Sequence, residues 1–274
     1  MTSRPEHPVF QLTQGTAPLL ISMPHVGTYV PDELADRMTK DASIVADTDW
    51  HLHQLYDFAH ELGASVLMAT HSRYVIDLNR PPDNSNLYPG RDTTSLCPVD
   101  TFDKQPLYQQ GQEPDDAEIA ARIEQYWRPY HHALAGELQR LHDTHGYAAL
   151  WDAHSIRCEI PRFFEGRLPD FNLGSADGAS CLPEIAREVE AVARAASGYS
   201  TILNGRFKGG YITRNYGKPE QNVQAMQLEL AQITYMEERP PFAFDEQKAA
   251  TLRPHLRAMV ETFLREAAAK AETF

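Results

Sequence analysis

Cysteine is scarce in this chain. Three cysteines stand among 274 residues, at Cys97, Cys158 and Cys181. Their odd number and wide spacing exclude a disulfide framework or a CxxC metal knuckle. Long apolar runs are also missing: nothing approaches the ~18 uninterrupted apolar residues of a membrane-spanning helix. The opening MTSRPEHPVF has no apolar segment of the kind a secretion signal carries. No Gly/Ser or Pro-rich linker divides the chain, and no repeat or low-complexity tract interrupts it. Positive charge is in deficit, with 25 Lys and Arg against 38 Asp and Glu and a formal net charge of −13. Such a surface binds nucleic acid and anionic membrane poorly. The expectation is one cytoplasmic α/β domain over 1–274, with no nucleic-acid or membrane partner and an open oligomeric state. An anionic ligand would need arginines placed locally against the global field.

What the chain has is alternation. Ala17–His25 (APLLISMPH) reads as a buried strand ending in Pro-His, and Pro31 opens a helix start. Apolar spacing predicts a helix over Trp50–Leu62, stopped by Gly63. ASVLMAT and YVIDL read as two strands flanking His71-Ser72-Arg73. Pro81–Pro114 is rich in Pro, Asp, Asn and Gly and predicts a long loop, at about 81–115, that covers a site. Asp116–His145 is a long helical pattern that Pro129 should kink. A strand up to Asp152, a helix over Leu182–Ala196, strands in YSTILNG and MQLELAQITY, and a helix over Asp245–Ala269 follow. Strand–helix alternation argues for an α/β three-layer sandwich with a mostly parallel central sheet.

Polar clusters sit at the ends of the apolar runs: His25 in MPHVG, Arg73, Asp77, Asn79 and Arg80 in SRYVIDLNRPP, Asp152, His154 and Arg157 in WDAHSIR, and Glu229 in QLELAQ. Sites in open α/β sheets form outside the carboxyl ends of the strands. Two imidazoles and a carboxylate make a catalytic zinc site with one position left for water. Glu229, alone among apolar neighbours, suits a general base. Arg73 or Arg80 can hold an oxyanion or a carboxylate. Each residue has a plainer explanation. His154 alone would be a core histidine, Asp77–Arg80 a structural ion pair, and Glu229 the solvent side of a half-buried strand. Ser155 beside His154 raises a serine hydrolase, but no GxSxG elbow is present.

The motifs PHVG, SRYVIDLNRP, DAHSIR, NGRFKGGYITRNYG and QLELAQITYM, spread from about Pro18 to Tyr235, together resemble the N-formylglutamate amidohydrolase family. DLNRPP and DAHS are also similar to segments of aspartoacylases and zinc carboxypeptidases. The resemblance implies a phosphorylase/hydrolase-like (zinc carboxypeptidase-like) fold and metal-dependent hydrolysis of N-formyl-L-glutamate, a step of histidine degradation. It implies His25 and His154 as ligands of one Zn2+ (Co2+ being a substitute), Glu229 as general base, Arg73 as a carbonyl clamp, and Asn79 and Arg80 as carboxylate binders. The carboxypeptidase-like pattern has a glutamate three residues after the first histidine, where this chain has Thr28. The carboxylate ligand must then come from elsewhere; ADTDWHLH offers Asp47 and Asp49, and we favour Asp49, with Asp47 as a cap or support and His51 and His53 as alternatives. An N-cap acid at a helix start would account for Asp49 equally well. A small dianionic acyl amino acid calls for two cationic clamps. Arg80 and Arg214 are the expected pair, assisted by Arg73 or Arg157 and by Tyr211, with Gly209-Gly210 allowing close backbone approach. A related zinc amidohydrolase for another acylated acidic amino acid, or a non-enzymatic dicarboxylate binder, are the alternative readings.

Overall fold

The structure, a computed structural model, describes residues 7–272; the extreme ends of the expected 1–274 domain lie outside it. The elements run β1 (Phe10–Thr13), β2 (Leu19–Met23), α1 (Asp32–Ala35), α2 (Leu52–Leu55), β3 (Ser65–Ala69), α3 (Asp116–Arg122), α4 (Arg128–His145), β4 (Ala148–Ile156), β5 (Phe171–Gly174), α5 (Pro183–Ala195), β6 (Thr201–Leu203), α6 (Tyr211–Tyr216), β7 (Val223–Ala231) and α7 (Glu246–Ala271). The strands form one seven-stranded sheet in the order β1-β3-β2-β4-β7-β5-β6. It is mixed. The central β3, β2, β4 and β7 run parallel, β1 and β5 join antiparallel, and β6 lies parallel to β5.

Both faces of the sheet are covered. Leu19, Ile21, Trp151, Met226 and Leu228 face one apolar cluster, completed by α2, α5 and α7. Leu20, Ala148, Leu150 and Ala225 face the other, completed by Tyr130, Leu134, Leu138 and Leu141 of α4. Burial on both faces explains why β2 and β4 read as near-continuous apolar runs instead of alternating ones.

Several expected elements take another form. YVIDL (Tyr74–Leu78) is buried but is a chain of turns, with Val75 N–H donating to Ser72 O and Asp77 N–H to Leu96 O. The Asp77 carboxylate accepts the Asn79 N–H at 2.9 Å, a local bond that competes with strand pairing. A short buried apolar run does not by itself distinguish strand from loop. The helix expected over Trp50–Leu62 is only α2 plus a 3-10 turn, because His51 is left-handed at its start. Gly63, at φ +66, ends that segment. In the Asp116–His145 helix, Pro129 is accommodated without a break. A π-helical turn spans Ile123–Trp127, and Arg128 N–H reaches back five residues to Ile123 O. Residues 81–115 contain no helix or strand. Elements β1, β5 and α6 had no counterpart in the sequence pattern; β1 and β5 are four residues each.

Leu150, near the start of β4, is fully buried. Leu150→Ala should lower stability by about 2–5 kcal/mol, read by urea denaturation. A loss under ~1 kcal/mol would contradict this core placement.

Candidate active site

On β4, Asp152 and His154 point to the same face as Ala148 and Leu150, beyond the part that α4 covers. In the parallel register of β4 with β7, Asp152 lies beside Gln227 and His154 beside Glu229. His25 follows the end of β2 by two residues. A cavity opens here, lined by His25, Arg73, Asp77, Asn79, His154 and Glu229 among others. It therefore sits at the carboxyl ends of parallel strands.

His25, Asp49 and His154 are buried, with one donor atom from each lying within 4.8 Å of the others. Asp49 Oδ2 is 3.0 Å from His154 Nδ1 and 3.7 Å from His25 Nδ1. The far nitrogens face carboxylates: His25 Nε2 is 2.7 Å from Asp77 Oδ1, and His154 Nε2 is 3.2 Å from Asp152 Oδ1. A second carboxylate behind each imidazole fixes the ring so that the near nitrogen can act as a ligand. Thr213 Oγ1 on α6 donates to Asp152 Oδ2 at 3.0 Å and holds that carboxylate in turn. The backbone N–H of Asp49 donates to His25 O at 3.0 Å, which ties the Asp49 turn to the end of β2. Asp49 caps no helix, since the residue at the α2 N-cap is His51, without a side-chain cap bond. Asp47 points elsewhere and accepts the Phe102 N–H at 2.9 Å. His51 Nε2 meets Phe242 O at 2.7 Å, and His53 is exposed. Neither belongs to the three-residue group.

The charges here are coupled. Burial acts to raise the Asp77 carboxyl, but Arg73, His25 and Arg80 together hold it well below its ordinary value. Burial acts to lower His154, yet Asp152 and Asp49 raise it well above the usual imidazole range. Burial pushes the Glu229 carboxyl up to about 8, with Asp49 and Asp152 adding to the rise and His154 and Arg73 opposing it. Carboxylates thus dominate this end of the cavity, and the field that favours a cationic His154 favours a bound cation as well. The donor set, two imidazole nitrogens and one carboxylate, suits a divalent metal of the zinc type.

The remaining expected residues divide. Arg73 is buried, donates to Asp77 Oδ2 at 2.6 Å and lies 4.8 Å over the Phe102 ring; its Nε has no hydrogen-bond partner. Arg80 lines the cavity, 3.8 Å from Asp77. Asn79 lines it as well, but its amide oxygen accepts the Ile212 N–H at 2.8 Å and its Nδ2 lies 2.9 Å from His154 Nε2. Three others lie outside the cavity lining. Arg214 is turned back by the α6 helix, its Nε donating to Gly209 O at 2.8 Å. Tyr211 packs toward Trp127 and His131. Arg157 pairs with the exposed Asp103 at 2.8 Å. In place of Arg214, the wall carries Arg206. Gly210 does line the cavity, but its bareness serves Asn79, whose Nδ2 would lie 2.4 Å from an added Cβ. Ser155 faces the opposite side from His154, bonded to Tyr235 Oη at 2.7 Å, which removes it as a nucleophile.

The sequence reading missed the roles of Asp77 and Asp152 as partners of the histidines. Both stood in its polar clusters, and their spacing, Asp152 two residues before His154 on one strand face, was the available signal. Arg206 stood in the quoted NGRFKGG segment with no local feature to separate it from Arg214.

The family model for N-formylglutamate amidohydrolase matches residues 17–236. Two curated relatives named N-formylglutamate deformylase are similar over 256 residues, 93% of this chain and 96% of each relative. The one from Pseudomonas aeruginosa PAO1 is 53% identical and the one from Pseudomonas putida 52%. The crystal structure of N-formylglutamate amidohydrolase from Ralstonia eutropha JMP134 matches with a TM-score of 0.79 at 26% identity, over 97% of this chain and 99% of that one. A gene product of Agrobacterium tumefaciens shares the fold, with a TM-score of 0.71 at 17% identity over 95% of this chain and 96% of that one.

Removing Asp77 would leave Arg73 buried without its partner. Asp77→Ala should destabilise by about 3–5 kcal/mol, and adding Arg73→Met should recover part of that loss in denaturant titrations. A neutral single mutant would show that the pair carries no such coupling.

Proposed function

The chain belongs to the N-formylglutamate amidohydrolase family, and from that premise we propose how its cavity performs the reaction. The enzyme hydrolyses N-formyl-L-glutamate to L-glutamate and formate. The observation that carries the mechanism is the convergence of His25, Asp49 and His154 beside Glu229. These three residues would hold one divalent cation, Zn2+ by donor type, with Co2+ as a workable substitute. When bound, the cation would supply Lewis acidity that polarises the formyl carbonyl and acidifies water.

The chain's own groups do the rest. Glu229 takes a proton from the attacking water as the new C–O bond forms at the formyl carbon. It returns that proton to the amide nitrogen as the C–N bond breaks, releasing formate and the free amine. Arg73, which lines the cavity, would be the donor to the developing oxyanion. Arg80 takes a substrate carboxylate. Asn79, its amide oxygen held by the Ile212 N–H, borders the same carboxylate with its Nδ2 hydrogens. Residues of the 81–115 segment, Tyr88, Thr94 and Phe102 among them, line the cavity and act as its cover. Asp47 anchors that cover through the Phe102 N–H. We group the three-layer fold with the phosphorylase/hydrolase-like sandwiches, and on the family resemblance assign the reaction to histidine breakdown in the cytoplasm. No helix among the described residues is long and apolar enough to cross a membrane.

Formate release from N-formyl-L-glutamate should vanish after chelation and return with added Zn2+. Turnover that survives complete metal removal would exclude the metal. Glu229→Gln should lower kcat by about 10²–10⁴-fold while the protein keeps its metal by elemental analysis. Loss of metal in that variant would make Glu229 a ligand instead.

A further inference from the structure

The buried or half-buried arginines of this protein are, with few exceptions, matched to carboxylates. Arg73 has Asp77, Arg122 has Glu118, and Arg162 has both Asp92 and Asp100. Arg206 differs. It lines the active-site cavity, yet no carboxylate lies within ion-pair distance of it among the described residues. Its Nε donates to Phe163 O at 2.7 Å and its Nη2 to Asp92 O at 3.4 Å, both neutral backbone oxygens. The rings of Tyr88, Phe163 and Phe207 surround the guanidinium at 5.2–5.8 Å. The neighbouring Asp92 carboxylate is already taken by Arg162 at 3.1 Å and Lys104 at 2.9 Å. Burial, together with Arg91 and Arg80 nearby, presses the Arg206 pKa down, and Tyr88 and the more weakly felt Glu229 only partly oppose it. A fixed, partly desolvated cation without a counter-ion is unfavourable in the free protein. It becomes favourable once a ligand supplies the anion.

The cavity holds a second, better compensated guanidinium, Arg80, which adjoins Asp77 and Arg73 at the His25 end. The substrate carries two carboxylates at unequal reach. The α-carboxylate is one carbon from the scissile nitrogen, and the side-chain carboxylate is three carbons away. The guanidinium beside the catalytic end therefore matches the α-carboxylate. The one set among Tyr88, Phe163 and Phe207 matches the side chain. We propose that Arg206 binds the side-chain carboxylate of the substrate and is the residue that selects an acidic amino acid, an assignment that rests on the deformylase reading above. The aromatic rings hold the guanidinium flat and shield it from water, so that its charge is felt by the ligand and not by solvent.

The test compares Arg206→Gln and Arg206→Lys with the parent on N-formyl-L-glutamate and on N-formyl-L-glutamine, which differs only in lacking the side-chain charge. Arg206→Gln should lower kcat/KM for N-formyl-L-glutamate by about 10- to 100-fold, chiefly through KM, and change the glutamine analogue less than about threefold. Arg206→Lys should fall between the two proteins on the charged substrate. Equal losses on both substrates would overturn the proposal, since a structural or α-carboxylate role acts on both. An unchanged kcat/KM for the charged substrate would overturn it too. Parent protein that releases no formate from N-formyl-L-glutamate would refute the deformylase reading itself, an outcome separate from any change in the substrate ratio.

Discussion

Asp77 is where the charges of this protein are joined. One of its oxygens faces His25 Nε2 and accepts the Asn79 N–H; the other accepts from Arg73 and lies near Arg80. A buried carboxylate is tolerable only when its lone pairs are met. Here the groups that meet them are His25, Arg73 and Arg80, the side chains to which we assign the roles of metal ligand, oxyanion donor and carboxylate clamp. Stability and function therefore draw on the same contacts. The compensation also fixes the loop itself, because a segment that looks like a strand by composition is bent into turns by the carboxylate at its centre.

Asp152 does the matching work behind His154, with Thr213 of α6 behind it. The two histidines are thus each backed by a carboxylate from a different part of the chain. The three cavity-lining arginines grade outward from this anionic end. Arg73 pairs with Asp77 at 2.6 Å, Arg80 lies 3.8 Å from the same carboxylate, and Arg206 has no carboxylate within ion-pair distance among the described residues. A dianion entering such a gradient is drawn toward the uncompensated end and oriented by it, which lets a protein of net charge −13 take an acidic substrate.

Much of this was legible in the sequence. The long buried runs gave β2, β3, β4 and β7, and their polar ends gave His25, His154 and Glu229, because strand period and the carboxyl-end rule act locally. The sequence offers Asp47 and Asp49 without separating them, and only the folded chain does so, since Asp49 meets the two histidines while Asp47 accepts the Phe102 N–H. The failures share a cause. Arg214 and Arg206 sit in one glycine-rich segment, and which of them faces the cavity depends on a six-residue helix too short to show periodicity. The strand β5 is shorter still, and the antiparallel direction of β1 and β5 is a tertiary choice that no local pattern carries.

The face of β4 that bears Asp152 and His154 is also the face that bears Ala148 and Leu150, and β7 repeats the arrangement with Ala225, Gln227 and Glu229. One sheet surface is core at its lower end and catalytic at its upper end. Side chains alternate strictly along a strand, so a single-residue insertion or deletion below Leu150 would turn both halves over together. Imidazole and carboxylate would be driven into the oily layer while Trp151 and Ala153 turned toward the cavity. Such lesions should leave no partly active descendants. Changes of length should therefore be tolerated in the connections, and the 81–115 segment, which holds no helix or strand, is where the pocket could vary without disturbing the frame.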